Sequence, residues 1–361
     1  LQIATATTLQ KGEATRTEIP SLNHCYPDNN ASCLKTIRKK EIYLFFYVFA
    51  AVVIVLTVFG NLLVIISVSH FKQLHTPTNL LVLSLAVVDF LIGLFVIPFE
   101  FSEAIEECWY FGETICPFYI NYSSILVLVS VLNLMTISVD RYIAVCHPFF
   151  YSTEITNARM GFCIILIWLV ALVYTVIFIY FTGGEIVADN CVGMCRLFHY
   201  QEWWIVHFIA NFALPVSVMI FLYGVIFLVV RSHARAIRSV VQNVAEAESK
   251  KRTLSKSSER KAAKTLGIVV VVFIIFVSPS YLLNFLALSL SASNKLLTEL
   301  SDSFFLLSNM NSGVNPYIYA FFYSWFRQAV KMILTFKITS PSKVMKIKER
   351  KMQNVCLVLI F

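Results

Sequence analysis

A few carboxylate, amide and hydroxyl side chains interrupt the apolar stretches of this sequence. Asp89 stands in the run Leu85–Leu91, where all its neighbours are apolar. A carboxylate inside lipid is costly and is a candidate functional group by default. Polar side chains at comparable depth are Asn61, Ser130, Asn311, Ser312 and Asn315. Their oxygens suit a small hard cation such as sodium, and a hydrogen-bonded packing cluster without an ion is the alternative. The candidate ligands are Asp89, Ser130, Asn311 and Asn315.

A second charged group, Asp140-Arg141-Tyr142, closes a later apolar stretch. Arg141 could bridge Asp140 and Glu259 and act as a conformational switch, and an ordinary interfacial arginine is the alternative. The last apolar stretch ends in Asn315-Pro316-Tyr317-Ile318-Tyr319. Its proline removes a backbone hydrogen bond and bends the helix, so we expect a hinge there.

These residues must be positioned by membrane spans. Of the 361 residues, 58% are hydrophobic and 14% charged, with a mean hydropathy of +0.73, whereas a soluble domain has roughly 45–50% apolar and about 25% charged residues. This excludes soluble enzymes and secreted disulfide scaffolds. A nucleic-acid binder is excluded because the basic residues lie between apolar runs rather than on one face. At about 20 residues per span, the sequence predicts seven spans: 43–69, 78–101, 114–140, 161–181, 204–230, 265–288 and 303–323.

The basic residues set the predicted orientation. Lys and Arg number 21 on the side of the first, third and fifth connections and the C-terminal end, against two in the opposite loops and six in the N-terminal tail. The basic side is cytoplasmic by the positive-inside rule, so we expect a multi-pass plasma-membrane protein. Residues 1–42 would form an extracellular tail, 43–323 the bundle, and 324–361 an eighth helix and cytoplasmic tail. Asn30 begins a glycosylation sequon in the outer tail.

Cysteines gather on the predicted outer side, where oxidising conditions permit bridges. Cys116 opens the third span and Cys195 precedes the fifth, so one bridge could staple that loop over the mouth of the bundle. Cys191 could pair with Cys25 or Cys33, and Cys108 is the odd cysteine. The connectivity cannot be deduced from the sequence alone.

The motifs resemble those of the rhodopsin-like G-protein-coupled receptors, from about Gly60 to Arg327. The matching residues are Gly60, Asn61, Leu85, Ala86, Asp89, Asp140, Arg141, Tyr142, Trp168, Pro215, Tyr223, Phe273, Pro279, Asn315, Pro316 and Tyr319. Further stretches are similar to the trace amine-associated receptors, which are mostly olfactory. These stretches are Glu106–Gly112, Cys191–Cys195, Glu259–Gly267, Asn311-Ser312 and Tyr323–Arg327.

This resemblance implies an all-α membrane protein, a seven-transmembrane helix bundle with a short amphipathic eighth helix beginning near Ser324. It implies the bridges Cys116–Cys195 and Cys33–Cys191. It also implies a small-molecule ligand, no enzymatic activity, and coupling to a stimulatory heterotrimeric G protein that raises cAMP. The residues expected to carry the switch are Asp140, Arg141, Tyr223, Glu259, Pro279, Asn315, Pro316 and Tyr319.

The predicted ligand pocket departs from that family. The aspartate that pairs with an amine in aminergic receptors is Ser123 here, and the tryptophan two residues before the sixth-span proline is Val277. In the seventh span, Leu306 and Asn309 replace the usual aromatic residues. His207 stands near the position where some amine-sensing relatives carry an acid. The usual ammonium anchor is therefore absent.

Two ligand chemistries remain open. Glu100 lies in the apolar register of the second span, with Glu103 one turn further, so an amine such as a diamine or polyamine could be held there. Acidic loop residues would concentrate cations, and they are Glu103, Glu106, Glu107, Glu113, Glu185, Asp189, Glu202, Glu299 and Asp302. In the alternative, His207 with Arg196 or His199 holds an anionic or neutral odorant such as a sulfated steroid. The candidate ligand-binding residues are Glu100, Glu103, Ser123, Ser124, Val127, His207, Asn211, Tyr281, Asn284, Phe305 and Asn309.

Other functional classes fit less well. An intramembrane enzyme would need a nucleophile–base pair or a metal site, and the spans contain no such pattern. A transporter or channel would need a continuous polar path, whereas the sequence predicts two polar clusters separated by apolar layers near Phe273 and Val277. We therefore expect a receptor in which an outer ligand shifts the bundle between two states.

Overall fold

The computed structural model describes residues 22–181, 191–195, 201–241, 247–289, 295–322 and 324–335. Near the start of the chain, β1 (Leu22–His24) and β2 (Leu34–Thr36) pair antiparallel, with Leu22 opposite Thr36. The side chain of Asn29 accepts the Ala31 amide at 2.9 Å and so shapes the turn between the strands. The hairpin lies against one end of the helices that follow.

Helices make up nearly all the rest of the described chain. They are α1 (Lys40–His70), α2 (Pro77–Phe95), α3 (Ile97–Glu106), α4 (Ile115–Cys146), α5 (Pro148–Glu154), α6 (Asn157–Phe181), α7 (Gln201–Phe208), α8 (Leu214–Val241), α9 (Ala247–Ser289), α10 (Lys295–Phe322) and α11 (Ser324–Leu334). A π-helical turn at Ile209–Ala213 joins α7 to α8. The second span consists of α2 and α3, and the fifth runs from α7 through α8.

Each of the seven predicted spans is helical over nearly all of its described residues. Within the described residues, six stretches are long and apolar enough to cross a membrane: Lys40–His70, Pro77–Glu106, Ile115–Cys146, Asn157–Phe181, Ile205–Ser232 and Thr265–Leu286. The seventh, α10, has 28 residues, or about 42 Å at 1.5 Å per residue, and it bears many of the amides and hydroxyls singled out in the sequence. The predicted all-α membrane bundle is confirmed. Several helices run past the predicted spans, because helical hydrogen bonding continues beyond the apolar segment.

Burial separates central from peripheral helices. In the most apolar part of the second span 61% of residues are buried, whereas only 22% are in the fourth. The fourth span, α6, shows large apolar side chains such as Phe162 and Val176 on its outside. Such an apolar exterior suits lipid rather than water. The second span, which holds Asp89 and Glu100, is therefore the one enclosed by its neighbours.

Small residues let three helices meet at Thr57 of α1. A Cβ added to Gly93 of α2 would lie 2.7 Å from Thr57 Cγ2, and one added to Gly313 of α10 would lie 2.7 Å from Thr57 Oγ1. Both distances are too short for a real contact, so only glycine fits at these two positions. Close backbone approach through small residues is how helices pack in membranes. It holds α1, α2 and α10 around the polar centre.

Pro98, Pro279 and Pro316 lie inside the second, sixth and seventh spans. The second span breaks at Val96 and restarts as α3, because Pro98 has no backbone N–H to continue the helical hydrogen bonds. Pro279 lies inside α9 and Pro316 inside α10. A Cβ added to Gly60 would lie 3.1 Å from the Pro316 ring, so α1 packs closely against α10 at this proline.

The predicted amphipathic eighth helix is present as α11. Its apolar side buries Phe326, Ala329 and Met332, and Ala329 and Met332 form a small core with Phe71 and Leu74 after α1. The opposite side exposes charged residues such as Lys331. This pattern matches a helix that lies along a surface rather than crossing the membrane.

Three disulfides join described residues, and two of them tie the hairpin to loops. They are Cys25–Cys108, Cys33–Cys191 and Cys116–Cys195. The last two are the pairs that the resemblance implies. The expectation that Cys108 is the odd cysteine was wrong, because Cys25 on the hairpin reaches the loop after α3. We call the part of the bundle under these bridges the bridged end.

Candidate functional site

Asp89 lies at the centre of the bundle and is fully buried. Asn315 of α10 donates its amide to Asp89 Oδ2 at 2.7 Å, and Asn61 donates to the Ser312 carbonyl at 3.0 Å. Within the described chain, Oδ1 of Asp89, Asn311 and Asn315 has no hydrogen-bond partner. Each of these buried oxygens is an acceptor that lacks a donor or a cation.

Oxygen donors are the only ligands that this cluster offers. Asp89, Ser130, Asn311 and Asn315 are all buried, and the unpartnered oxygens match the needs of a hard cation. The described residues contain no group of three His, Cys, Asp or Glu side chains that could hold a transition metal. The donor set thus fits a sodium ion, which carries one charge against one carboxylate.

Near the C-terminus of α4, away from the disulfide at Cys116, Asp140 and Arg141 form a buried ion pair. Arg141 Nε donates to Asp140 Oδ2 at 3.0 Å, and its terminal nitrogens also contact Thr78 and Tyr151. Thr78 of α2 and Tyr151 of α5 each donate a hydroxyl to Asp140, at 2.8 and 3.0 Å. Burial raises the pKa of Tyr151, so its hydroxyl keeps its proton at physiological pH. The pair is locked by contacts from two neighbouring helices.

Two further switch candidates, Tyr223 and Tyr319, have described surroundings. Tyr223 of α8 packs on Gly267, where an added Cβ would meet its ring at 3.1 Å. Tyr319 of α10 is almost wholly buried, three residues after the helix proline. Glu259 falls within α9, but its side chain lies outside the described residues, so the predicted bridge to Arg141 stays a prediction.

Towards the bridged end, Glu100 of α3 is buried and faces α10. Its carboxylate accepts the side-chain amide of Asn309, and the Tyr119 hydroxyl lies against it. No Lys or Arg of the described chain forms an ion pair with it. Glu103, the second candidate acid, accepts the backbone N–H of Cys195 at 3.4 Å and is close enough to repel Glu100. A buried carboxylate without a cation is expensive, so Glu100 is left to bind a proton or an external cation.

A cavity of about 160 Å³ is lined by residues of α2, α4, α7, α9 and α10. Six of the predicted ligand-binding residues line it: Val127, His207, Tyr281, Asn284, Phe305 and Asn309. Asn309 connects the cavity to Glu100, because it lines the wall and also holds the carboxylate. The structure therefore gathers the candidates from α7, α9 and α10 around one space.

Other candidates are already engaged in hydrogen bonds within the protein. Ser123 and Ser124 each donate to the Ile120 carbonyl, at 3.0 and 2.8 Å, and neither lines the cavity. Asn211 donates its amide to Tyr174 and approaches His207 Nδ1 at 3.1 Å. An amide donor at Nδ1 makes that nitrogen an acceptor, which fits a neutral imidazole.

Sequence reasoning missed two hydroxyls in the cavity wall. Ser280 of α9 and Ser308 of α10 hydrogen-bond each other at 2.9 Å, and Ser308 also donates to the Phe276 carbonyl at 3.2 Å. The signal in the sequence is the neighbouring Pro279, which lacks a backbone N–H and so disturbs the helical hydrogen bonds of the preceding turn.

The cavity also overturns the expectation of two polar clusters separated by apolar layers. Phe273 and Val277 line its side without closing it, and its lining continues to Ser130, Asn311 and Ser312 of the Asp89 cluster. Ser130, Asn311 and Ser312 therefore share one cavity with six of the ligand candidates, whereas Asp89 and Asn315 are not among its lining residues.

Two loop acids are neutralised rather than free to attract a ligand. Glu106 pairs with Lys35 at 3.5 Å, and Glu107 pairs with Arg38. A hydrogen bond with Tyr110, together with Glu106, raises the pKa of Lys35. The acidic field predicted from the loops omitted these tail cations. Glu113 is exposed, and Glu185, Asp189, Arg196, His199, Glu202, Glu299 and Asp302 have side chains outside the described residues.

A buried ionic lock at one end, a pocket towards the other and a polar centre between them define a ligand-operated seven-helix receptor. The family model described as "7 transmembrane receptor (rhodopsin family)" matches residues 60–319. The chain belongs to this family of G-protein-coupled receptors, whose partners are small-molecule ligands and G proteins, and it is not an enzyme.

Within the family, the chain is of the trace amine receptor type. It is 41% identical to trace amine-associated receptor 9 of Mus musculus over 329 residues, which cover 88% of this chain and 92% of the relative. It is 40% identical to trace amine-associated receptor 8c of Rattus norvegicus over 344 residues, covering 88% and 94%. It is 39% identical to trace amine-associated receptor 6 of Pan troglodytes over 340 residues, covering 88% and 93%.

Proposed function

We propose that this receptor recognises a small amine odorant at the plasma membrane and signals through a stimulatory G protein to raise cAMP. In this proposal the N-terminus and the bridged end are extracellular, which agrees with the excess of Lys and Arg on the opposite side. Asn30 is exposed and would carry a glycan there.

Glu100 carries the proposal. Its carboxylate is buried, has only neutral partners among the described side chains, and is joined by Asn309 to the cavity. An ammonium group entering from the cavity would supply the missing charge, and Asn309 and Tyr119 would orient the carboxylate. In this proposal Glu100 of the second span supplies the negative charge that an aspartate at position 123 of the third span would otherwise provide.

The same cavity argues against a larger anionic ligand. Its 160 Å³ is below the roughly 300–1,000 Å³ of pockets that bury drug-sized ligands, so a small amine fits better than a sulfated steroid. His207 would have to be protonated to hold a sulfate, and its Nδ1 contact with Asn211 favours the neutral ring.

Signal transfer would run from this pocket to the Asp140–Arg141 pair. On α10, Pro316 and the buried Tyr319 follow the pocket residue Asn309 along the helix. We propose that ligand binding favours a state in which Arg141 leaves Asp140, and that Tyr223, Glu259, Pro279, Asn315 and Tyr319 take part in the rearrangement. Both states belong to one equilibrium that the ligand shifts.

A sodium ion at Asp89 is proposed as a modulator of that equilibrium. Asp89, Ser130, Asn311 and Asn315 would hold it through oxygen atoms. When bound, the ion would neutralise the buried carboxylate.

The proposal is tested by measuring cAMP in cells that express the full chain, with panels of small amines and of sulfated steroids. We expect an amine to activate the wild type, Glu100→Gln to reduce its potency at least tenfold, and Glu113→Gln, which alters an exposed acid, to leave potency unchanged. Surface expression is measured for each variant. Activation by a sulfated steroid that is lost in His207→Ala would contradict the amine assignment.

A further inference from the structure

Ser280 of α9 and Ser308 of α10 form a pair of hydroxyls in the wall of the cavity. Both side chains line the cavity, and their Oγ atoms lie 2.9 Å apart. Ser280 is only 2% exposed, so the pair is a buried polar feature that two helices build together. The proposed amine site at Glu100 makes no use of it.

The hydrogens of both hydroxyls are used inside the protein. The Val277 carbonyl lies 2.9 Å from the Ser280 hydroxyl. Ser308 reaches the carbonyls of Phe276 and Phe304, at 3.2 and 3.0 Å. Whichever hydroxyl donates to the other, the second donates to one of these carbonyls. Because a hydroxyl has one hydrogen and two lone pairs, the pair presents acceptor lone pairs to the cavity and keeps its hydrogens for the protein.

The cavity around the pair is polar but carries no fixed charge. Its described lining residues are serines, asparagines, one histidine, one tyrosine and apolar residues, with no Asp, Glu, Lys or Arg among them. The histidine, His207, meets the side-chain amide of Asn211 at Nδ1, which fits a neutral ring. A second charge on a ligand would lose its water here without meeting an opposite charge, which is costly. A neutral O–H group loses less and finds an acceptor.

The hydroxyl pair lies next to the proposed amine anchor. Ser308 directly precedes Asn309 on α10, so their Cα atoms are about 3.8 Å apart. Asn309 lines the same cavity and donates its side-chain amide to Glu100. A short ligand whose ammonium enters beside Asn309 therefore places its other end within the cavity that the pair lines.

We propose that Ser280 and Ser308 form a second recognition point, at which a serine Oγ accepts a hydrogen bond from a neutral hydroxyl of the ligand. The preferred ligand is then an amino alcohol rather than an alkylamine or a diamine. This inference rests on the proposed function, since the ammonium of the ligand lies at Glu100. It adds the chemistry of the opposite end of the ligand, which is a neutral hydrogen-bond donor.

Thermal melting of the purified full-length receptor tests this subsite without relying on a G protein. Linear amines of equal chain length that end in a methyl, a hydroxyl or an ammonium group are titrated, and the comparison is repeated for several chain lengths. The variants are Ser308→Ala and, as a second test if that protein does not fold, Ser280→Ala. Ser217→Ala is the matched control, because Ser217 is exposed on α8 and donates to the Ala213 carbonyl of the preceding turn.

In the wild type, we expect at least one amino alcohol to bind more tightly than both the alkylamine and the diamine of its length. Ser308→Ala should lower the ratio of amino alcohol affinity to alkylamine affinity about fivefold, the usual effect of one neutral hydrogen bond. Ser217→Ala should leave that ratio unchanged.

Two results overturn the subsite and leave the amine function standing. One is a diamine that binds the wild type more tightly than every amino alcohol. The other is an unchanged ratio in Ser308→Ala and Ser280→Ala, including a uniform loss of affinity for all three kinds of ligand, which a purely structural role of the pair would cause. If no amine stabilises the wild type, the amine function fails and the subsite fails with it.

Discussion

Two buried carboxylates, Asp140 and Glu100, differ in whether the protein itself supplies a cation to pair with them. Asp140 is neutralised within the protein, because Arg141, Thr78 and Tyr151 all bind it. Glu100 has an amide partner but no cation among the described residues. Since a buried charge is costly unless it is paired, Asp140 favours a closed resting state, whereas Glu100 favours the arrival of a cation.

The lock around Asp140 yields a prediction for Tyr151→Phe. The hydroxyl donates to Asp140 at 3.0 Å and approaches Arg141 at 3.2 Å, so its loss weakens the resting state by about 1 kcal/mol. Since 1.4 kcal/mol corresponds to tenfold, we expect roughly fivefold more of the active state and higher cAMP without ligand. Tyr180→Phe, at an exposed residue of α6, should not change the basal signal. A basal signal in Tyr151→Phe no higher than that of the wild type would refute the lock.

At the same scale, sequence reasoning recognised charged residues better than neutral ones. Asp89, Glu100 and Arg141 stand out because a charge in an apolar span is rare. Ser280 and Ser308 were missed, because a serine in a membrane helix usually bonds its own backbone, as Ser123 does. Whether a hydroxyl reaches across to another helix depends on helix rotation, which the sequence does not show.

Among the elements, the second span sets the geometry of both polar sites. Asp89 and Glu100 are eleven residues apart, which is close to three helical turns of 3.6 residues, so periodicity alone predicts that they share a face. The facing residues of α10, Asn309 and Asn315, are not related by whole turns, and the bends at Pro98 and Pro316 alter the register. The sequence therefore predicts which helix face is polar, but not which partners meet.

The meeting of α1, α2 and α10 at Thr57 gives a prediction about packing. Gly93→Ala would place a methyl group 2.7 Å from Thr57 Cγ2, so the helices must separate, at a typical cost of 1–3 kcal/mol. We expect a lower melting temperature of the purified receptor and reduced surface expression.

Two further variants control that measurement. Gly161→Ala adds the same methyl group where no atom lies within 4 Å, so it should be neutral. Thr57→Ser removes the clashing methyl group and should restore part of the stability of Gly93→Ala. If Gly93→Ala melts at the wild-type temperature, the close approach of α1 and α2 is wrong.

Over the whole molecule, the bridged end works as one unit. Two disulfides and the pairs Lys35–Glu106 and Arg38–Glu107 connect the hairpin segment to the end of α3, to the loop after it and to residues 191–195. Another disulfide, Cys116–Cys195, joins residues 191–195 to α4. The seven spans could be predicted from hydropathy, and the disulfides Cys116–Cys195 and Cys33–Cys191 from the resemblance to the receptor family. The third bridge did not follow, because six cysteines allow 15 connectivities and nothing in the sequence places the hairpin beside the loop after α3.

The third bridge predicts non-additive losses of stability. Cys25 and Cys108 are 83 residues apart in sequence, and removal of a bridge over a loop of that length typically costs about 2–4 kcal/mol. Because either substitution breaks the same bond, Cys25→Ser, Cys108→Ser and the double variant should lower the melting temperature by similar amounts. Cys163→Ser, which alters a free cysteine in α6, should leave it unchanged. If the losses of the two single variants add up in the double variant, the two cysteines act independently, and the hairpin is then held to the bundle by Cys33–Cys191 and its ion pairs alone.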